Sequence, residues 1–261
     1  YQRAFSMPES TIGSLLQWLD KCPTPFHVVE TAASNLEAAG FTRTAQLGNE
    51  IPSLGYLAVD GCIVAWRLGT RTGALRIIGA HTDSPNLRVL PHADIHQLGW
   101  SQLAIEIYGG VLLNSWLDRD LGIAGRVIDS HGAAHLFSAP QPLARIPQLA
   151  IHLDRDVNER GLILDKQIHL APIWGLGQFR LGEFAEFIAS SLAVSVHDIA
   201  FWDIALFDLT PASLLGADRS LLASGRLDNQ ISCWAATEGL IAASTNANGK
   251  GTTSVIALFD H

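Results

Sequence analysis

Methionine occurs once in the chain, at Met7, and cysteine three times, at Cys22, Cys62 and Cys233. Three scattered thiols form neither a disulfide framework nor the close pairs of a Cys-based zinc site, so a reducing compartment, the cytoplasm, is expected. Charge is also scarce: 16% of residues are Asp, Glu, Lys or Arg, while 48% are hydrophobic. Intrinsic disorder needs the reverse balance and is excluded. The 25 acidic residues outnumber 17 basic ones, for a net charge of −8. A nucleic-acid surface would carry the opposite sign. No apolar run reaches about 18 residues without a polar break, so no membrane partner is expected. No secretory pattern precedes Met7, and residues 1–6 are expected to be a foreign lead-in to a chain starting there.

Signatures of other chemistries are missing too. Asn248-Gly-Lys-Gly-Thr-Thr253 has Ser244 where a phosphate loop needs its first glycine. Residues 216–225 hold no nucleotide fingerprint, and Ser84 lies outside any G-x-S-x-G elbow. Neither an internal repeat nor a low-complexity tract is found.

What remains is an α/β pattern with a β-rich interruption. A length of 261 residues allows one large domain or two ordinary ones. Apolar residues at helical spacing predict a first helix from Ser10 through Leu19. The prolines of Cys22-Pro-Thr-Pro-Phe26 break it, and a second helix is predicted from about Val28 to Ala39 with Gly40 as its cap. Residues 55–67 alternate as strand, and Ala74 to Ala80 is an apolar run suited to a buried strand. From about His92 strand-like runs recur between glycines and prolines, with one helical stretch at 182–192. A long helix over 228–244 and a strand over 252–259 then restore the α/β pattern. The expected organisation is residues 7–91 and 209–261 as one domain, with residues 92–208 inserted as a second, β-rich one.

Three polar groups fall where strands or helices begin or end. His81 and Asp83, two apart after an apolar strand, face the same side. A carboxylate so placed can fix the imidazole tautomer while the other ring nitrogen binds a metal. Asp228 opens the long helix predicted over 228–244 and can offer both oxygens to cations. Asp260-His261 closes the last strand. Taken singly, each has a plain structural reading: a loop cap, an N-cap, a strand end.

In combination, ordered segments through almost the whole chain resemble the M18 family of metallopeptidases, the aspartyl aminopeptidases. They are Cys22-Pro-Thr-Pro-Phe-His27, Gly79-Ala-His-Thr-Asp-Ser-Pro85 with Leu87-Arg-Val89, and Tyr108-Gly-Gly110. Trp116-Leu-Asp-Arg-Asp-Leu121, Ala124-Gly-Arg-Val127, Ile146-Pro-Gln-Leu-Ala-Ile-His-Leu153 and Gly225-Arg-Leu-Asp-Asn229 complete the set. The resemblance implies a mixed-sheet metallopeptidase domain of the phosphorylase/hydrolase-like class, interrupted by a β-rich oligomerisation domain. That domain builds a homo-oligomer from dimers, up to a tetrahedral dodecamer. It further implies two divalent ions, zinc or else manganese or cobalt, and peptide substrates with an acidic N-terminus. Carried over, His81 is a metal ligand, Asp83 its orienting carboxylate and Asp228 the bridging carboxylate. His152 stabilises the oxyanion in a neighbouring subunit, and the Asp228–Asn229 peptide is cis.

In the family a Glu-Glu pair, general base and metal ligand, follows directly on the Asp-His that here is Asp260-His261. The catalytic domain is therefore expected to be incomplete, full metal occupancy is not expected, and the 261-residue chain alone is expected to be inactive. Its last strand, Val255 to Phe259, is expected to lack a covering helix and to be exposed to aggregation. Two rivals stay open. A catalytically dead, oligomer-forming subunit would bind no metal at His81. A two-metal aminopeptidase of broader specificity would release neutral residues as readily as acidic ones.

Overall fold

A computed structural model describes residues 9–46, 48, 51–70, 73, 75–178, 180–245 and 251–260. The chain opens with α1 (Glu9–Lys21), α2 (Pro25–Ala38), β1 (Thr42–Arg43), β2 (Leu54–Val59), β3 (Cys62–Arg67) and β4 (Leu75–His81). A long stretch follows: β5 (Asn86–Gln97), β6 (Trp100–Tyr108), β7 (Leu121–Asp129), β8 (Ala134–Ala144), α3 (Val157–Arg160), β9 (Ile173–Leu176), α4 (Glu183–Leu192) and β10 (Ile199–Asp208). The chain then continues through β11 (Ser213–Leu215), β12 (Leu221–Ala223), α5 (Leu227–Thr245) and β13 (Thr253–Phe259). Two units result, one of residues up to 84 and from 211 on, the other Pro85–Thr210. The divisions fall at Ser84/Pro85 and Thr210/Pro211, against the expected 91/92 and 208/209. A cut after residue 91 would sever β5, which runs unbroken in the sheet of the second unit.

In the first unit, helix α1 buries Leu15, Trp18 and Leu19 on one face. Helix α2 starts at Pro25 rather than near Val28, because proline's fixed φ suits the first helical position and its missing N–H costs nothing there. It ends in a Schellman turn: Phe41 N donates to Leu36 O and Gly40 N to Glu37 O, with Gly40 at φ 89°. Strands β2 and β3 form a hairpin closed by Asp60-Gly61. The sheet order is β1-β2-β3-β13-β4, with β13 antiparallel to β3 and parallel to β4. Both edges of β13 are thus paired, which answers the expected aggregation hazard, while one face stays open as expected, with Phe259 48% exposed. Its Ile256 and Leu258 are buried. Strand β4 stands at one edge of the order, with Leu75, Ile77 and Ile78 each more than half exposed, so its apolar run is not the buried one expected. Helices α1, α2 and α5 contribute to one apolar core with this sheet.

The second unit is an antiparallel sheet in the order β8-β7-β10-β5-β6-β9. Helix α4 is held by Asp94 of β5, whose carboxylate accepts from Gly182 N (2.8 Å) and Phe184 N (3.0 Å). The orphan amides of the helix start are thus met by a distant side chain instead of a local cap. Phe184 packs edge-on against Trp174 and Trp202, with centroids 5.8 and 5.7 Å away. Among the described residues no helix is long and apolar enough to cross a membrane.

Candidate metal centre

Strand β4 runs parallel to β13 in register His81↔Phe259, so the two carboxyl ends lie side by side. Thr82 N donates to Phe259 O at 2.9 Å, and the Thr82 hydroxyl donates to Gly61 O at 2.7 Å. A Cβ on Gly61 would meet the Asp260 carboxylate at 2.5 Å, so the hairpin turn needs glycine for that carboxylate to come so close. His261, the other half of the Asp-His pair, lies outside the described residues.

His81, Asp83 and Asp228 are brought together. The His81 ring sets Nδ1 3.1 Å from Asp83 Oδ1 and 3.1 Å from Asp83 O, and Nε2 3.2 Å from Asp228 Oδ1. The Asp83 side chain is 11% exposed and that of Asp228 is 92% exposed. Asp83 is therefore the buried partner of the ring and Asp228 the open one. With its proton on Nδ1, toward Asp83, the ring turns a lone pair to the Asp228 carboxylate. The 3.2 Å approach of Nε2 to the carboxylate suits either a proton on Nε2 or a cation shared by the two groups. Zinc–nitrogen and zinc–oxygen bonds of about 2.0–2.2 Å at a tetrahedral angle place their donor atoms roughly 3.3–3.5 Å apart. The pair thus fits two positions around one ion. Among the described residues no group of three or more His, Cys, Asp or Glu is placed to hold an ion.

Asp228 turns its carboxylate to the His81 ring, and regular helical backbone starts only beyond Asn229. The φ/ψ of Asp228 (−89°/111°) and those of Asn229 (−117°/29°) are non-helical, and the peptide between them is cis, as the resemblance implies. The Ser84 hydroxyl donates to Asp228 O at 3.0 Å, tying the loop after β4 to the start of α5. Two side chains that sequence reasoning passed over also reach this loop from α5. Gln230 donates to Thr82 O and Cys233 to His81 O. A polar residue at 230, on the same helical face as Cys233, Thr237 and Leu240, was their only signal. Burial pushes the Cys233 thiol up to about 12, with the Cys22 and Asp83 charges adding to the shift, so it stays a protonated donor.

His152 belongs to the other unit, on an exposed turn closed by Leu153 N to Ala150 O. The Trp116–Leu121 cluster anchors the chain that leads there. Asp118 N donates to Ile146 O, and Asp118 Oδ1 accepts from Gln148 N. A cavity of about 340 Å³ lies in the same unit, lined mainly by apolar groups such as Leu117, Leu149 and Ile163. Its lining also includes Asp154 and His169, whose Nδ1 accepts from Asp165 N at 2.8 Å.

The family model described as "Aminopeptidase I zinc metalloprotease (M18)" matches residues 18–261. A probable M18 family aminopeptidase 2 of Streptomyces coelicolor is 45% identical over 253 residues, which are 95% of this chain and 59% of that relative. The solved structure of Chaetomium thermophilum mApe1 superposes with a TM-score of 0.84 at 28% identity, covering 98% of this chain and 63% of that one. The S. cerevisiae mApe1 dodecamer shares the fold, with a TM-score of 0.80 at 24% identity over 97% of this chain and 60% of its own. The chain therefore spans about three-fifths of the length of these relatives. Its fold is the metallopeptidase fold of those structures, and the chain belongs to the M18 family of aminopeptidase I zinc metalloproteases.

Proposed function

We propose that this chain is part of a dinuclear-metal aminopeptidase that removes N-terminal residues, Asp or Glu by preference, from peptides. The observation that carries the reading is the Asp83–His81–Asp228 row, with an imidazole lone pair facing an open carboxylate at 3.2 Å. His81 holds one ion through Nε2. Asp83 keeps the His81 proton on Nδ1 and the ring in its rotamer. Asp228, whose backbone carbonyl accepts from the Ser84 hydroxyl, would offer its carboxylate oxygens to the metal centre. Bound there, zinc, or else manganese or cobalt, polarises the scissile carbonyl and lowers the pKa of water. Asp83 is committed to His81 and Asp228 to the cations, so neither is free to take the water proton. The general base is the first Glu of the pair that the family carries next to Asp260-His261, and the 261-residue polypeptide by itself is inactive.

The second unit builds the homo-oligomer, from dimers up to a tetrahedral dodecamer; the yeast neighbour is a dodecamer. Exposed Leu149, Ile151 and Leu153 around His152 support a subunit contact there. That contact delivers His152 to a neighbouring copy's site, where its imidazole stabilises the developing oxyanion. Three free thiols suit a reducing cytoplasm.

The test is release of N-terminal Asp, Glu and Leu from matched peptides, with zinc, by the full-length protein and by the 261-residue chain. Full-length protein releasing Asp and Glu fastest, with none released by the shorter chain, is the expected result. Faster release of Leu overturns the acidic preference, and robust turnover by the shorter chain overturns its inactivity.

A further inference from the structure

Gln230 and Cys233 stand three residues apart on the buried face of α5 and donate to successive carbonyls at the end of β4. The Cys233 thiol lies 3.1 Å from His81 O, and Gln230 Nε2 lies 2.7 Å from Thr82 O. Both are sealed from water, Gln230 at 1% and Cys233 at 0% exposure. An amide at that depth is costly unless its polar atoms are met, and here its Oε1 accepts from Trp18 Nε1 at 3.2 Å. An apolar side chain would suit the surrounding core of Leu15, Leu19, Val28 and Leu240 without needing partners. The amide instead joins α1, α5 and the loop carrying His81.

Asp228 lies at the start of α5, the helix that bears Gln230 and Cys233, and the two carbonyls they hold belong to His81 and its neighbour. We infer that Gln230 and Cys233 are positioning residues that clamp the His81 backbone to the start of α5, so that the His81–Asp228 spacing is set before an ion arrives. The inference rests on the metal-site reading above. It assigns to α5 the support that a ligand set needs when its members come from distant parts of the chain. Ser84, bonded to Asp228 O, closes the same loop from the other side.

The experiment uses the full-length protein. Gln230→Met removes both amide groups at similar volume, and zinc affinity is read by competition with a chelator. The dissociation constant is expected to rise about 10- to 100-fold, the usual consequence of losing an outer partner of a metal ligand. The visible spectrum of the cobalt-loaded variant is expected to shift from that of the parent. Cys233→Ala is expected to weaken zinc binding, and Cys233→Ser, which keeps a donor, to restore most of it. This pair decides the matter even where Gln230→Met fails to fold. Tyr56→Phe, which removes the hydrogen bond to Glu37 elsewhere in the unit, controls for simple destabilisation. It is expected to lower Tm and leave zinc affinity unchanged.

Wild-type affinity in both Gln230→Met and Cys233→Ala overturns the clamp, as does an equal loss in Tyr56→Phe. His81→Ala separates the two levels of the argument. Unchanged zinc binding there overturns the metal site and the clamp together. Loss at His81→Ala without loss at Gln230→Met and Cys233→Ala overturns the clamp alone.

Discussion

Thr24, His27, Arg67, Thr82, Asp83, Ser84, Gln230 and Thr237 are the buried polar side chains among the described residues, and all belong to the first unit. The second unit's core holds apolar side chains such as Phe184, Ile188 and Leu206, and its apolar excess emerges at the surface in Leu149, Leu153, Ile163 and Ile168. The contrast has a physical meaning. A buried polar group costs free energy unless every bond it lost in water is replaced, so such groups persist where geometry must be held. In the first unit several of them hold residues 81–84 against α5. An exposed apolar cluster costs solubility, and it persists where another surface covers it. Buried polar side chains mark the first unit, whereas both units present apolar side chains outward, the first through Leu75, Ile77 and Ile78 of β4.

Changing the open carboxylate tests this separation most severely. Asp228→Ala in the full-length protein is expected to lower kcat/KM by on the order of a thousandfold or more, several kcal/mol of lost metal-assisted stabilisation. Because the Asp228 side chain is 92% exposed, Tm measured without metal is expected to stay near that of the parent. A large fall in that Tm would mean that site and scaffold are not separable.

The opposite perturbation is Phe184→Ala. Phe184 is fully buried between two indoles, and its loss is expected to destabilise the second unit by about 3–5 kcal/mol in a urea titration. Zinc affinity of the first unit is expected to be unchanged. A matching loss of zinc affinity would break the contrast from the other side.

A smaller effect comes from pH. Burial holds His27 neutral, with its pKa lowered from 6.5 to about 4, and its Nδ1 sits 2.7 Å from the Thr24 hydroxyl. Below about pH 6.5 the unfolded chain takes up a proton that the folded chain refuses. Stability therefore falls as pH drops toward 4 and levels off below it, by roughly 3 kcal/mol in all. Urea midpoints of the parent and of His27→Gln, compared at pH 7 and pH 4.5, isolate this contribution. Equal acid sensitivity in both proteins would remove His27 as its source.

Much of this was readable in advance where the signal is local. Helices α1 and α4 follow the helical spacing of their apolar residues, and β13 falls close to its predicted span. His81 and Asp83, two apart at a strand end, sit together as alternation requires, and Asp228 joins them. What could not be read is whatever depends on partners distant in the chain. The position of β13 between β3 and β4 is decided by pairings across most of the sequence, and no residue of β13 announces them. The first unit boundary was misplaced for the same reason, since only the ladder of β5 with β6 and β10 shows that residues 86–97 form one strand.

The scarcity of cysteine and charge, the helical and strand periodicities and the ordered motifs were enough to determine the fold class and the family. These are properties of composition and of neighbours a few residues apart, which side-chain chemistry and backbone propensity dictate directly. Tertiary structure alone decided that β4 stands at an edge of its sheet, that Asp228 turns an open carboxylate to the His81 ring, and that a buried amide and a thiol reach back to the His81 loop. Those outcomes depend on which groups remain unsatisfied once the core has closed, and only the packed chain settles that balance of desolvation against hydrogen bonding.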